Sequence, residues 1–165
     1  MIDCPTIACK NLKNTVGMAL TEGEIQPDML SQRAKYTIRV MQELARCKPD
    51  QSLQAGELAS RIKAPQHFLE GILLDLRREG FLTSRRGRSG GYALAKPADL
   101  VSIADLIRLT DGPLALTTCA SRTAYAQCDD CPTPDDCQLR TILVAARDAM
   151  ARVLEGSTLA KPFSV

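Results

Sequence analysis

Tryptophan is absent from the 165 residues, aromatic side chains make up 4%, and His67 is the single histidine. A core built from this chain therefore has to come from Leu, Ile, Val, Ala and Met. No apolar run approaches the ~18–20 residues that cross a bilayer, so no membrane partner is expected. The N-terminus lacks both a basic n-region and an unbroken apolar stretch, which argues against export. There is no nucleotide-binding glycine motif, and one histidine without an Asp or Ser constellation gives little to build an active site on. An enzyme is not expected.

Cysteine, by contrast, is plentiful: seven are present. Without an export signal these thiols belong to a reducing cytoplasm, where clustered cysteines more often bind metal or react than form structural disulfides. Charge is uneven. The net value is +2, yet residues 29–100 hold 13 Lys/Arg against 7 Asp/Glu, while 1–28 hold 2 against 4 and 101–165 hold 6 against 8. Positive charge confined to the middle of the chain is an electrostatic footprint for phosphate backbones, although a solvated basic face has the same composition.

Residues 1–28 mix Pro, Gly, Thr, Asn and acidic side chains without a period and read as a disordered N-terminal extension, with a short helical piece around Leu12–Leu20. Met29 opens the periodic sequence and is a candidate start codon; Cys4 and Cys9 are read as incidental. From Ser31, Ala34, Ile38, Met41 and Leu44/Ala45 recur on one helical face that ends near Cys47. A short second helix spans about Ala55 to Lys63. Pro65 suits the first turn of a third helix, whose buried stripe is Phe68, Leu69, Ile72, Leu73 and Leu76, with Gly80 past its end. Leu82–Ser84 and Tyr92–Leu94 form a hairpin around a basic, Gly-rich turn. Ser102 and Asp105 resemble a capping box for a helix through about Leu109. A last helix from about Pro134 to Leu154 carries Leu139, Ile142, Ala146, Ala149, Met150 and Val153 on one side, a face suited to a second subunit.

The fold class is therefore mainly α with a small β-hairpin. A winged helix-turn-helix domain spans 29–100, a cysteine-loop and dimerisation region with a long C-terminal helix spans 101–158, and a flexible tail spans 159–165. In a winged helix-turn-helix one helix enters the major groove and the wing touches backbone or minor groove of double-stranded DNA. Gln66, His67, Glu70 and Arg77 lie off the buried stripe of the third helix and can reach base edges, Glu towards cytosine and Gln towards adenine. The wing needs positive charge with little bulk, which Arg85, Arg86, Gly87, Arg88 and Ser89 supply. A basic loop that is merely soluble is the plainer reading of the same residues, and His67 is equally well an idle surface residue.

Cys128-x2-Cys131 is a chelating pair, with Cys137 five residues beyond it and Cys119 eight before it. Four thiolates complete either an iron–sulfur cluster or a structural zinc site, and neither ferredoxin nor zinc-ribbon spacing is matched. A thiol–disulfide switch uses the same residues. Asp129, Asp130, Asp135 and Asp136 read as caps of the last helix, where negative charge is favoured.

Taken together, MLSQRAKYTIRVMQELA, FLEGILLDLRREGFL and SRRGRSGGYALAKP resemble the Rrf-two family of winged-helix regulators, from about Met29 to Leu159. The resemblance implies a cytoplasmic homodimer crossed by its long C-terminal helices, binding a partly palindromic operator as a repressor, under control of an iron–sulfur cluster. It implies Cys119, Cys131 and Cys137 as ligands. Arg140 stands where IscR-like members place a histidine, and no acidic counterpart of the N-terminal ligand of some NsrR proteins lies near Lys35; Cys128 is the candidate fourth ligand. [2Fe–2S] is slightly favoured over [4Fe–4S], with zinc the alternative. Glu70 falls where IscR-like members use Glu to discriminate operators, Arg86 and Gly87 match wing minor-groove residues, and Gly71 replaces a polar residue. The competing reading is a zinc-stabilised or thiol-redox winged-helix regulator acting partly through a protein partner.

Overall fold

Ser31 starts the first helix by accepting the Ala34 N–H on its hydroxyl at 3.0 Å. The computed structural model describes residues 29–48, 51–87, 90–129, 131 and 133–161, so the expected helical piece at Leu12–Leu20 lies outside it. The elements are α1 (Gln32–Ala45), α2 (Ala55–Ile62), α3 (Gln66–Arg78), β1 (Leu82–Arg85), β2 (Gly91–Leu94), α4 (Ile103–Asp111) and α5 (Gln138–Gly156). Short 3-10 turns fall at Ala98–Leu100, Thr118–Ala120 and Pro134–Asp136. The strands pair antiparallel, Leu82 opposite Leu94 and Arg85 opposite Gly91.

One core gathers Val40, Met41 and Leu44 of α1, Leu58 and Ile62 of α2, Leu69, Ile72, Leu73 and Leu76 of α3, and Leu82, Val101 and Leu106. A smaller cluster of Ala104, Ile107 and Leu114 receives Met150, Ala151 and Leu154 of α5. These stripes at i, i+3 and i+4 spacing are the reason the helices form against one another, since helices this short are marginal alone. The capping box at α4 is complete: Ser102 accepts the Asp105 N–H at 3.1 Å and Asp105 accepts the Ser102 N–H at 3.3 Å. Gly80 takes φ +71 after α3, as the C-terminal position requires.

Four expectations need correction. Phe68 is not in the core; it is 36% exposed and sets its ring edge-on to Tyr36 of α1, with centroids 5.8 Å apart. The last helix starts at Gln138 rather than Pro134, after a separate 3-10 turn, and Gly156 is its final residue rather than its stop. Among the described residues Asp129, Asp135 and Asp136 do not cap it, and Asp130 lies outside them; Cys137 caps it, its sulfur accepting the Arg140 N–H at 3.4 Å. The chain also remains bonded past 158: Ile103 N–H donates to Ser157 O at 2.9 Å and Leu159 N–H to Val101 O at 3.1 Å, which ties the end of α5 to the start of α4.

Candidate nucleic-acid interface and cysteine loop

Burying Leu69, Ile72, Leu73 and Leu76 turns the opposite side of α3 to solvent, and Gln66, His67, Glu70 and Arg77 are all exposed there. Gln66 donates from Nε2 to Glu70 Oε1 at 3.0 Å, so these two polar groups hold each other's orientation one turn apart. Arg77 donates to Ser84 Oγ at 3.4 Å and links the end of α3 to β1. Arg85, Arg86 and Gly87 are exposed at the tip of the hairpin; Arg88 and Ser89 lie outside the described residues. Among the described residues neither Arg85 nor Arg86 has an ion-pair partner, so their charge is available to an anion.

Two adjacent glycines shape this wing. A Cβ on Gly90 would lie 2.4 Å from Arg85 O, within the turn itself. A Cβ on Gly91 would lie 2.5 Å from Leu53 O. That close approach lets Tyr92 exchange two backbone bonds with Leu53, at 2.8 and 3.0 Å, and fastens the hairpin to the segment before α2.

The cysteine loop is folded back by its own hydroxyls. Ser121 Oγ accepts the N–H groups of Thr123 and Ala124, at 3.3 and 3.0 Å. Ala126 N–H donates to Thr118 O at 3.4 Å and Thr118 Oγ1 to Ala126 O at 3.3 Å. This hairpin returns Cys128 to Cys119. A hydrogen bond from Thr117 Oγ1, 3.2 Å from the sulfur, then one from Cys128, with Arg140 adding its charge, holds the Cys119 thiol below the ordinary cysteine range. Its partnership with Cys119, with burial and the charges of Cys119 and Cys131 behind it, pushes Cys128 up to about 11. Cys131 is raised by its hydrogen bond to Cys137 and by burial. The thiols of Cys119 and Cys128, and those of Cys131 and Cys137, therefore influence one another's ionisation.

Cys119 is buried and the other three are half-buried. As they stand, the described residues include no group of three or more His, Cys, Asp or Glu set to hold a metal ion. The donor set itself suits a soft metal or an iron–sulfur cluster, since it consists of thiols on one loop and at the start of α5. Arg140 and Arg147 supply what the sequence did not single out. Arg140 donates from Nε to Cys119 O at 3.1 Å and lies 5.8 Å from the Tyr125 ring centroid. Arg147 donates to Ala120 O at 2.5 Å. The only signal for Arg147 was a basic residue on an Ala-rich stretch of helix; Arg140 was visible only as a departure at a histidine position.

Three helices, a fastened two-stranded wing and a basic tip define a winged-helix DNA-binding protein. Residues 30–162 match the family described as Rrf2, iron-dependent transcriptional regulator, and the chain belongs to that family of transcriptional regulators. It is 46% identical over 117 residues to an rrf2-like HTH-type transcriptional regulator of Rhodobacter capsulatus, covering 69% of this chain and 78% of that one. It is 32% identical over 132 residues to the regulator NsrR of Geobacillus kaustophilus, covering 79% and 86%. The structure of CymR, the global cysteine regulator of B. subtilis, superposes with a TM-score of 0.66 at 27% identity over 79% of this chain and 92% of that one. IscR of T. potens has the same fold, with a TM-score of 0.63 at 23% identity over 79% and 82%.

Proposed function

We propose that this chain is a cytoplasmic, homodimeric repressor whose hold on its operator is set by an iron–sulfur cluster on Cys119, Cys128, Cys131 and Cys137. The observation that carries the reading is the loop hairpin, closed by Thr118 and Ala126, that returns Cys128 towards Cys119. When bound, such a cluster supplies one-electron chemistry and sensitivity to oxidants. [2Fe–2S] remains slightly preferred over [4Fe–4S].

The protein's own residues connect that loop to α3. Cys137 caps α5, and Arg140 and Arg147 bind α5 to the carbonyls of Cys119 and Ala120. Glu155 of α5 is paired with Arg108 of α4. Asp111 at the end of α4 accepts the Ser31 N–H at 2.8 Å, which joins it to the start of α1. Arg33 of α1 is paired with Asp75 in α3. A shift in the loop therefore has a contiguous route to the helix that reads DNA.

On DNA, Gln66, His67, Glu70 and Arg77 would face base edges in the major groove, with Arg85, Arg86, Gly87, Arg88 and Ser89 on backbone or minor groove. Dimerisation is supported by a stripe on α5: Leu139, Ile142, Ala146, Ala149 and Val153 alternate three- and four-residue steps, as a coiled-coil seam does. Leu139 is 62% and Ile142 65% exposed, so the stripe is not used within the chain.

The experiment is purification without oxygen, followed by a visible spectrum with iron, sulfide and zinc analysis. Charge-transfer bands that vanish in Cys131→Ala and Cys137→Ala fit the proposal. A colourless protein with stoichiometric zinc, or with no metal at all, refutes the cluster. The metal-free outcome would favour a second reading, a thiol switch, which the lowering of the Cys119 thiol by Thr117 and Cys128 supports.

A further inference from the structure

A cleft of about 360 Å³ lies between the end of α4, the loop just after Cys119, and α5. That volume is at the low end of the roughly 300–1,000 Å³ of small-molecule sites. Four arginines line it, Arg108, Arg122, Arg147 and Arg152, with the carboxylates of Asp148 and Glu155. Both carboxylates are engaged. Arg147 grips Asp148 through two nitrogens, at 2.9 and 2.6 Å, and Arg122 adds a third contact at 3.0 Å. Arg108 pairs with Glu155. Arg152 has no partner among the described residues. Arg108 also lies 3.7 Å from Asp105 of α4, so four guanidinium groups face three carboxylates and one positive charge, that of Arg152, is left uncompensated.

We infer that this cleft is a binding site for a compact anion, held by Arg152 and the neighbouring arginines. Guanidinium groups give planar pairs of donors that match carboxylate and phosphate oxygens alike. At 3.6 residues per turn, Arg147, Asp148, Ala151 and Glu155 fall on the opposite side of α5 from Leu139, Ile142, Ala146, Ala149 and Val153. Arg152 lies at the flank between the two faces, one turn from Ala149, so dimerisation along that stripe leaves the Arg147 and Glu155 side of the cleft uncovered. The occupant would touch α4, α5 and the cysteine loop together, because Arg147 is itself anchored to Ala120 O beside Cys119. This site is independent of whether the thiols hold a metal.

The test is calorimetric titration of the full chain with inorganic phosphate and, separately, with succinate, at constant ionic strength set by sodium chloride. Saturable binding of one probe is expected, and which one binds separates a phosphorylated ligand from a dicarboxylate. Arg152→Gln should weaken it about tenfold, the loss of one charge-assisted hydrogen bond. Its unfolding temperature should not change, because Arg152 is exposed and unpaired; Arg122→Gln serves as the second variant. The wing variant Arg85→Gln/Arg86→Gln should bind the probe as before, which separates this cleft from the DNA-phosphate surface. No saturable binding of either probe, binding that survives both Arg152→Gln and Arg122→Gln, or binding lost in the wing variant would overturn the inference.

Discussion

Arg140 holds Cys119 in place through the main chain, its Nε 3.1 Å from the Cys119 carbonyl oxygen, while its own backbone N–H is capped by the Cys137 sulfur. One residue at the start of α5 is thus bonded to both ends of the cysteine loop. The same guanidinium lowers the Cys119 thiol, but less than the Thr117 hydroxyl does.

An ordering of variants follows. In metal-free protein, the midpoint of the pH profile for Cys119 alkylation should rise in Thr117→Val, which removes the largest lowering influence. It should rise less in Arg140→Ala. Cys128, pushed up to about 11, should titrate above Cys119 in the parent. Alkylation followed residue by residue by mass spectrometry checks this, and a larger shift in Arg140→Ala than in Thr117→Val would contradict the local geometry.

The two glycines Gly91 and Gly71 should respond oppositely to alanine. Gly91→Ala places a Cβ 2.5 Å from Leu53 O and breaks the pair of bonds that fastens the wing, a loss of about 1–3 kcal/mol. Gly71 has nothing within 4 Å of its would-be Cβ and sits inside α3, so Gly71→Ala should stabilise by about 0.5–1 kcal/mol. Denaturant unfolding of both variants measures the signs.

The wing arginines should act on affinity without regard to sequence. Arg85→Ala and Arg86→Ala are each expected to reduce the slope of log affinity against log salt by about one, with similar weakening on operator and unrelated duplex. Glu70→Ala should instead change which sequences are preferred. Binding measured across a salt series on both duplexes separates the two behaviours.

On α5, Leu139→Asp/Ile142→Asp places charge in the exposed seam and should yield a monomer by light scattering while the helical signal persists. Its affinity for a two-half-site operator should fall by well over tenfold, since one half-site is then engaged at a time. A dimer that survives the double substitution would move the interface elsewhere.

Much of this molecule was legible from residues alone where local chemistry decides. Ser102 and Asp105 announced the start of α4, Gly80 the end of α3, and the periodic Leu and Ile positions the main core. Reading failed where a tertiary neighbour decides. Phe68 fits the buried stripe of α3, yet its ring meets Tyr36 edge-on there and stays 36% exposed. The acidic run before α5 looked like a cap, but the chain presents the Cys137 sulfur there instead. The Gly90-Gly91 pair was visible as a turn, whereas its reason, the approach of Leu53 from before α2, is a long-range contact. Arg147 stood out only as a basic residue on an Ala-rich stretch, because its partner, Ala120 O, is a carbonyl 27 residues away.

Operator affinity of one preparation measured without oxygen, before and after chelation strips the thiols of metal, tests the central claim most directly. The account predicts that the two forms differ by about tenfold or more, equivalent to 1.4 kcal/mol per decade, and that Cys137→Ala abolishes the difference. Equal affinities in the two forms would contradict it.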